Sequence, residues 1–198
     1  MSHSSDAPDH AVRPVTAGRP PELLSVGGGA HLRRRVLADA PALNAAVIAN
    51  LAHLRPWMPW ARQVPTLAES EQLSVRGETA WEEGTDFLYL LGLDADPASV
   101  IGAFGLHSRI GSGALEIGYW VDREHTGRGL ATAAARVLTG AALALPGVTR
   151  TEIHCDEANA ASAAVPRKLG YVLDRIVQDP PSAPSESGRT MIWVTTGL

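Results

Sequence analysis

Cysteine occurs once in this chain of 198 residues, at Cys155, so no internal disulfide can form and nothing ties the chain to an oxidising compartment. Long apolar runs are also missing. No stretch approaches the roughly 18 residues of a membrane span, and the opening from Met1 to Asp6 lacks the basic and apolar regions of a signal peptide. A soluble, cytoplasmic protein is the expectation. Positive charge is in short supply, with 17 basic against 21 acidic residues, which removes any broad electrostatic reason to bind nucleic acid. The one basic run, Arg33-Arg34-Arg35, precedes Val36 and Leu37 and reads as the solvated edge of an early strand. His107, His125 and His154 show no metal-ligand spacing, so no metal is expected. Internal repeats are absent.

What is present suits one enzyme-sized domain. A hydrophobic content of 45% excludes general disorder, and the length serves a single core better than two. Residues 1–29, rich in Ser, Pro, Gly and His, read as a flexible leader, and residues 30–198 as the domain. A strand is expected near Leu32 to Leu37. Asp39 and Pro41 then open a helix whose apolar stripe includes Leu43, Val47, Leu51 and Leu54. Thr66 and Glu69 have the form of a capping box, starting a second helix that runs to Trp81 and stops at Gly84. Strands follow over 87–91, 100–106 and 115–121 as an antiparallel meander.

The most informative segment runs from Glu116 to Thr132. It reads as a strand, a turn carrying Gly127 and Gly129, and a helix whose face is Leu130, Ala134, Val137, Leu138, Ala141, Ala142 and Leu145. Such an arrangement suits phosphate: amides in a first helical turn lack intrahelical partners and lie at the positive end of the dipole, while glycine lets the main chain approach an anion. A strand at 150–155 should pair parallel with the strand at 115–121, because the intervening helix makes a crossover unit. A last helix is bounded by Asn159 as N-cap and Gly170 as C′ residue, and a strand at 190–195 completes a mixed sheet. Pro180 to Gly188 reads as a flexible connection between the final two strands.

The turn from Thr126 to Ala131 resembles the acyl-CoA-binding motif of the GNAT N-acyltransferases, Arg/Gln-x-x-Gly-x-Gly/Ala, with Gly129 and Ala131 in the last two marked places and Thr126 where Arg or Gln is usual. Cys155 to Tyr171, with its Asn159, Ser162 and Leu-Gly-aromatic stop, resembles the family's later signature. The run from Arg55 to Trp60 adds a third likeness, and together they resemble the branch that acetylates ribosomal-protein N-termini over roughly residues 30–196. The resemblance implies an α/β (α+β) fold with a mixed, mostly antiparallel sheet, helices on both faces and a CoA-binding strand-turn-helix. It also implies acetyl-CoA as co-substrate, held by Trp120, Val121, Gly127, Arg128, Gly129, Leu130, Ala131, Thr132 and Asn159, and it allows a homodimer. Arg128 or Arg136 would serve the 3′-phosphate.

The chemistry requires an unprotonated amine, and an α-amine, with a reference pKa of about 7.7–8.0, needs less help than a lysine at about 10.4. Two readings of Glu116 stand: the base of the reaction, or a strand glutamate paired with an arginine. Ser162 occupies the place where these acetyltransferases carry a serine near the CoA sulfur; it either serves the leaving thiolate or only bonds local backbone. Many relatives instead use a tyrosine four residues before the Leu-Gly glycine. That position holds Pro166 here, which removes a helix hydrogen bond and suggests a bend or an early break. The glutamate that related ribosomal-protein-modifying enzymes carry downstream has no secure counterpart, with Asp179 or Glu186 as substitutes. Cys155 reads as a structural thiol rather than an acetyl carrier, since His154 beside it points to the opposite face. Trp57 and Trp60 either border the acceptor site or plug the space beneath two helices. The reading is an acetyl-CoA-dependent N-acetyltransferase acting by direct attack, with a protein or peptide α-amine favoured as acceptor. The alternatives are a small amine acceptor and a non-catalytic acyl-CoA-binding module.

Overall fold

The computed structural model describes residues 18–198. Eight strands form one sheet: β1 (Leu23–Gly27), β2 (Ala30–Arg34), β3 (Asp86–Leu93), β4 (Gly102–His107), β5 (Ala114–Val121), β6 (Arg150–Asp156), β7 (Val172–Gln178) and β8 (Arg189–Thr195), in the order β1-β2-β3-β4-β5-β6-β8-β7. Only β5 and β6 run parallel; the other neighbours are antiparallel. The mixed, mostly antiparallel sheet expected from the pattern is therefore present, with the helix α3 (Leu130–Leu143) as the crossover between the parallel pair. No helix among the described residues is long and apolar enough to cross a membrane.

The first two helices start and stop where local chemistry directs. Helix α1 (Ala40–Leu54) begins after Asp39 with Pro41 in its first turn. Helix α2 (Leu67–Glu83) starts on a complete capping box: Glu69 N–H donates to Thr66 Oγ1 at 3.2 Å, and Thr66 N–H donates to Glu69 Oε2 at 2.7 Å. It ends on Gly84 at φ 72°, left-handed backbone that glycine adopts without strain.

Two features depart from the sequence expectation. Strand β1 lies inside the segment read as a leader and pairs with β2; its alternating half-exposed pattern, ending in the run Gly27-Gly28-Gly29, is too weak to announce a strand. The part of that leader before residue 18 lies outside the described residues. The connection from Pro180 to Gly188 is also anchored rather than loose. Asp156 accepts from Ser187 N–H, Gly188 N–H and Ser187 Oγ at 2.9–3.0 Å, Glu186 accepts from the amides of Ser182 and Ala183, and Ser185 N–H donates to the Pro56 carbonyl at 3.0 Å.

Strand alternation sorts the core onto two faces. On one, Leu43, Val47, Leu51 and Leu54 of α1 pack with Leu90 and Trp120. On the other, Ala134, Leu138 and Ala142 of α3 join Leu115, Ile117, Ile153 and Trp193, together with Ala163, Val165 and Leu169 of the helix α4 (Ala160–Leu169).

Candidate active site

Strands β5 and β6 are paired only through Ala114↔Arg150, Leu115↔Thr151 and Glu116↔Glu152. Beyond Glu116, β5 continues to Val121 bonded to β4 on its other side, and β6 continues to Asp156 bonded to β8. The two strands thus part like a V, leaving backbone edges that face each other without a ladder. A cleft of about 360 Å³ occupies this region. It is lined by His53, Trp57 and Met58 from α1 and its C-terminal link, by Tyr119, Trp120 and Val121 of β5, and by Ala161, Ser162 and Val165 of α4. Since α1 and α4 cover opposite faces of the sheet, the cleft passes between the parted strands.

One end of the cleft is the glycine turn. Gly127, Gly129, Leu130, Ala131 and Thr132 all line it. Gly127 and Gly129 have φ of 74° and 79°, and a Cβ built on either meets nothing within 4 Å, so their main chain faces open space. Gly129 is the N-cap of α3 and offers no side-chain acceptor, which leaves the first-turn amides available to an anion. The turn is braced from α1. Asn50, buried, donates through Nδ2 to Asp122 Oδ2 at 2.6 Å and accepts from Arg123 N–H at 2.9 Å. Burial would raise the Asp122 pKa, but hydrogen bonds from Asn50, His125 and Glu124 N–H outweigh it and hold the carboxyl below its usual range. Arg128 folds back on the turn, donating to the Glu124 carbonyl at 2.9 Å, and is not part of the lining.

In the middle lies α4. Asn159 caps it, accepting from Ser162 N–H at 3.1 Å, and also lines the cleft. The helix continues three residues past Pro166 to Leu169, so the early break expected at that proline does not occur. The proline has another consequence. In a regular helix the Ser162 carbonyl would accept from the N–H of residue 166, which proline lacks; here Tyr119 O–H donates to it at 3.1 Å. The same phenol lies 3.2 Å from Ser162 Oγ, and burial pushes its pKa well up, keeping it protonated. Tyr119 takes no part in the sequence reading. The signal was available, because alternation sets it opposite Glu116 and a proline in a helix always frees a carbonyl.

Cys155 is buried on this face. Burial is the largest influence on its thiol and raises its pKa, a setting that keeps a thiol protonated and unreactive. Glu116 does not line the cleft. Arg109 holds it with two bonds, Nε to Oε2 at 2.7 Å and Nη2 to Oε1 at 2.6 Å. Burial opposes its ionisation, but Arg109, followed by His154 and His107, outweighs burial and lowers its pKa; of its two readings, the arginine-paired glutamate matches the geometry. Trp57 lines the cleft beside Met58, whereas Trp60 is 54% exposed and lies outside it. Neither Asp179 nor Glu186 reaches the lining: Glu186 is consumed in capping the amides of Ser182 and Ala183, and Asp179 is exposed. Among the described residues, no group of three His, Cys, Asp or Glu side chains is arranged to hold a metal ion.

Residues 31–172 match the model of the acetyltransferase (GNAT) domain. The chain belongs to the GNAT acetyltransferases. A curated relative is the Bacillus subtilis (strain 168) protein YdaF, named provisionally as a ribosomal N-acetyltransferase; it is 29% identical over 156 residues, covering 75% of this chain and 82% of that one. Among solved structures, the RimL ribosomal L7/L12 alpha-N-protein acetyltransferase in complex with coenzyme A superposes with a TM-score of 0.80 at 20% identity, over 89% of this chain and 98% of that one. The microcin C7 self-immunity acetyltransferase MccE, in complex with acetyl-CoA and AMP, superposes with a TM-score of 0.79 at 18% identity, over 89% and 97%. The GNAT fold, read from the sequence as a mixed sheet with a strand-turn-helix, is the fold found.

Proposed function

We propose that this enzyme transfers the acetyl group of acetyl-CoA to a primary amine by direct attack, with the α-amine of a protein or peptide as the favoured acceptor. The observation that carries the reading is the cleft threading the opening between β5 and β6, with an uncapped helix start at one end and aromatic side chains at the other. The turn at Gly127 and Gly129 fits a pyrophosphate because its main chain is open and the first-turn amides of α3 have no side-chain cap. The unpaired edge of β5 beyond Glu116 fits the amide-bearing pantetheine arm, which can supply the hydrogen bonds that β6 no longer makes. That arm brings the thioester past Asn159 to Ser162.

The amine nitrogen attacks the thioester carbon; the carbon–nitrogen bond forms, the carbon–sulfur bond breaks, and one proton must leave the nitrogen while one must reach the sulfur. Ser162 Oγ, oriented by the Tyr119 phenol, serves the departing thiolate. The Pro166 substitution supports this division of labour. A helix without its tyrosine retains a phenol at the same serine, delivered from β5.

An α-amine is favoured because its reference pKa lies near neutrality, and because YdaF and RimL carry names that assign them ribosomal acceptors. A small amine is the second reading, favoured by the near-equal superposition of MccE. The test follows free thiol released from acetyl-CoA on adding either a serine-initiated peptide or a panel of small primary amines. Peptide-dependent release at higher kcat/KM supports the first acceptor class, and the reverse order supports the second. CoA binding without acceptor-dependent release would mark a binding module and sink the transferase reading.

A further inference from the structure

Acetyl-CoA carries its negative charge at one end, in a pyrophosphate and in a phosphate on the 3′ position of the ribose, and the glycine turn is read as holding only the first of these. The sequence offers Arg128 and Arg136 for the second. Neither side chain lines the cleft, and Arg128 donates back to the Glu124 carbonyl at 2.9 Å. A different cation is in place. Lys168, in the last turn of α4, borders the cleft together with Gly127, Gly129 and Leu130 of the turn. It is the single lysine of a chain that otherwise uses arginine for its basic residues.

Local geometry explains why this side chain reaches the cleft. Ala161, Ala164, Val165 and Lys168 all line it, and residues spaced in this way share one face of a helix. Two of the four are alanines, so the wall is low up to the lysine. Arg167, one position earlier, is rotated off that face and lies over the Trp193 ring at 5.3 Å. Helices α3 and α4 pack into the same core on one face of the sheet, and α1 packs on the other. The uncapped start of α3 and the lysine of α4 therefore stand on the same side of the opening, away from the Trp57 and Met58 link that follows α1.

The electrostatics point to an anion. Lys168 is exposed, and among the described residues it has neither a hydrogen-bond nor an ion-pair partner. No aspartate or glutamate lines the cleft, so the ammonium is the one permanent side-chain charge on its walls. An unpartnered cation among neutral groups gives the cleft a positive field. The thioester and the amides of the pantetheine arm are neutral and offer an ammonium no counter-charge; the phosphates do. Backbone amides at the turn are available to the pyrophosphate, whereas a phosphate monoester, with nearly two charges near neutral pH, has no such provision there. A lysine meets it as a compact charge with three donors on a flexible stem.

We infer that Lys168 recognises the 3′-phosphate of the acyl donor and so sets the preference of the cleft for coenzyme A over its 3′-dephospho form. The inference rests on the acetyl-CoA reading and names the part of the donor that the turn does not hold.

Isothermal titration of the full-length enzyme, K168Q and K168R with acetyl-CoA and with acetyl-3′-dephospho-CoA, at low and at high ionic strength, tests it. The wild type is expected to bind acetyl-CoA roughly fivefold to tenfold more tightly than the dephospho donor, the size of one exposed charge pair. K168Q should bind the two donors within about twofold of each other, at the affinity the wild type shows for the dephospho donor. K168R keeps the charge and should keep most of the preference. Added salt should shrink the wild-type preference and leave the K168Q ratio where it is. A wild-type preference retained in K168Q, or no preference in the wild type, would overturn the assignment while leaving the transferase reading standing. Equal losses for both donors in K168Q would place the ammonium at the pyrophosphate, or in support of the end of α4, and would overturn it too. A wild type that binds neither donor would remove the acetyl-CoA reading and this inference with it.

Discussion

At the scale of single residues, the side chains around the opening divide between those aimed into the cleft and those held away from it. Ser162, Tyr119 and Asn159 line it; Cys155 is close by but buried and kept protonated. Two substitutions separate these cases. Ser162→Ala is expected to lower kcat by roughly 10-fold or more while leaving CoA affinity within about threefold, whereas Cys155→Ala should leave kcat within about threefold, because in the proposed direct attack the acetyl group never resides on the Cys155 sulfur. Steady-state kinetics with calorimetric CoA binding reads both, and a dead Cys155→Ala enzyme that still binds CoA would restore the covalent route. Much of this layer was legible in the chain. Asn159 and Ser162 sit three apart at a helix start, where capping is decided by neighbours in sequence. Trp60 was not, because whether a link between two helices turns an indole inward or outward depends on packing that no local rule records.

At the scale of elements, the glycine turn proposed to hold the pyrophosphate depends on a helix remote in sequence. Asn50 sits on α1, yet its amide closes two hydrogen bonds across Asp122 and Arg123 at the exit of β5. Replacing it by alanine leaves the half-buried Asp122 carboxylate and the Arg123 amide to find new partners, at a cost of about 1 kcal/mol, and the turn should loosen. Asn50→Ala is accordingly expected to weaken acetyl-CoA several-fold without touching Ser162 chemistry. Gly129→Asp, which sets a negative side chain at the helix start and forces L-residue geometry at φ 79°, should weaken it by about 10-fold or more. Isothermal titration with acetyl-CoA checks the pair; wild-type affinity in Gly129→Asp would remove the anion site from this turn. The helix limits at Thr66, Gly84, Asn159 and Gly170 were legible for the same reason as the caps themselves, being settled within four residues. The Asn50 brace spans 72 positions, and neither asparagine nor aspartate carries a local mark that would have joined them. Strand β1 escaped notice because a half-exposed edge strand shows almost no periodic contrast.

Across the whole molecule, several carboxylates share one electrostatic sense. Asp86, Glu116, Asp122, Glu152 and Asp156 are each pulled toward ionisation by hydrogen bonds and cations that outweigh burial. A group whose folded pKa lies below its unfolded one adds stability that is complete above the unfolded value and is lost as pH falls through the folded value. The relevant unfolded values are 3.8 for aspartate and 4.5 for glutamate. Thermal midpoints should therefore be insensitive to these groups at neutral pH and drop steeply as pH falls below about 4.5. Glu116→Gln removes one contributor, so its midpoint should depend less steeply on pH in that range; scanning fluorimetry from neutrality down to pH 3 checks this, and an unchanged slope would count against the Arg109 pairing as a stabilising contact.

Three residue pairs join β1–β5 to β6–β8 in the shared sheet. Mechanically the molecule is two slabs stitched along a short seam, and the seam ends at the reaction centre. On the proposed reading, a thioester lying along the free border of β5 would act as a missing rung, so that occupancy by donor and rigidity of the cleft would rise together. Spacing between Tyr119 on one slab and Ser162 on the other would then be set by the donor itself, tying the readiness of the enzyme to the presence of its acyl donor.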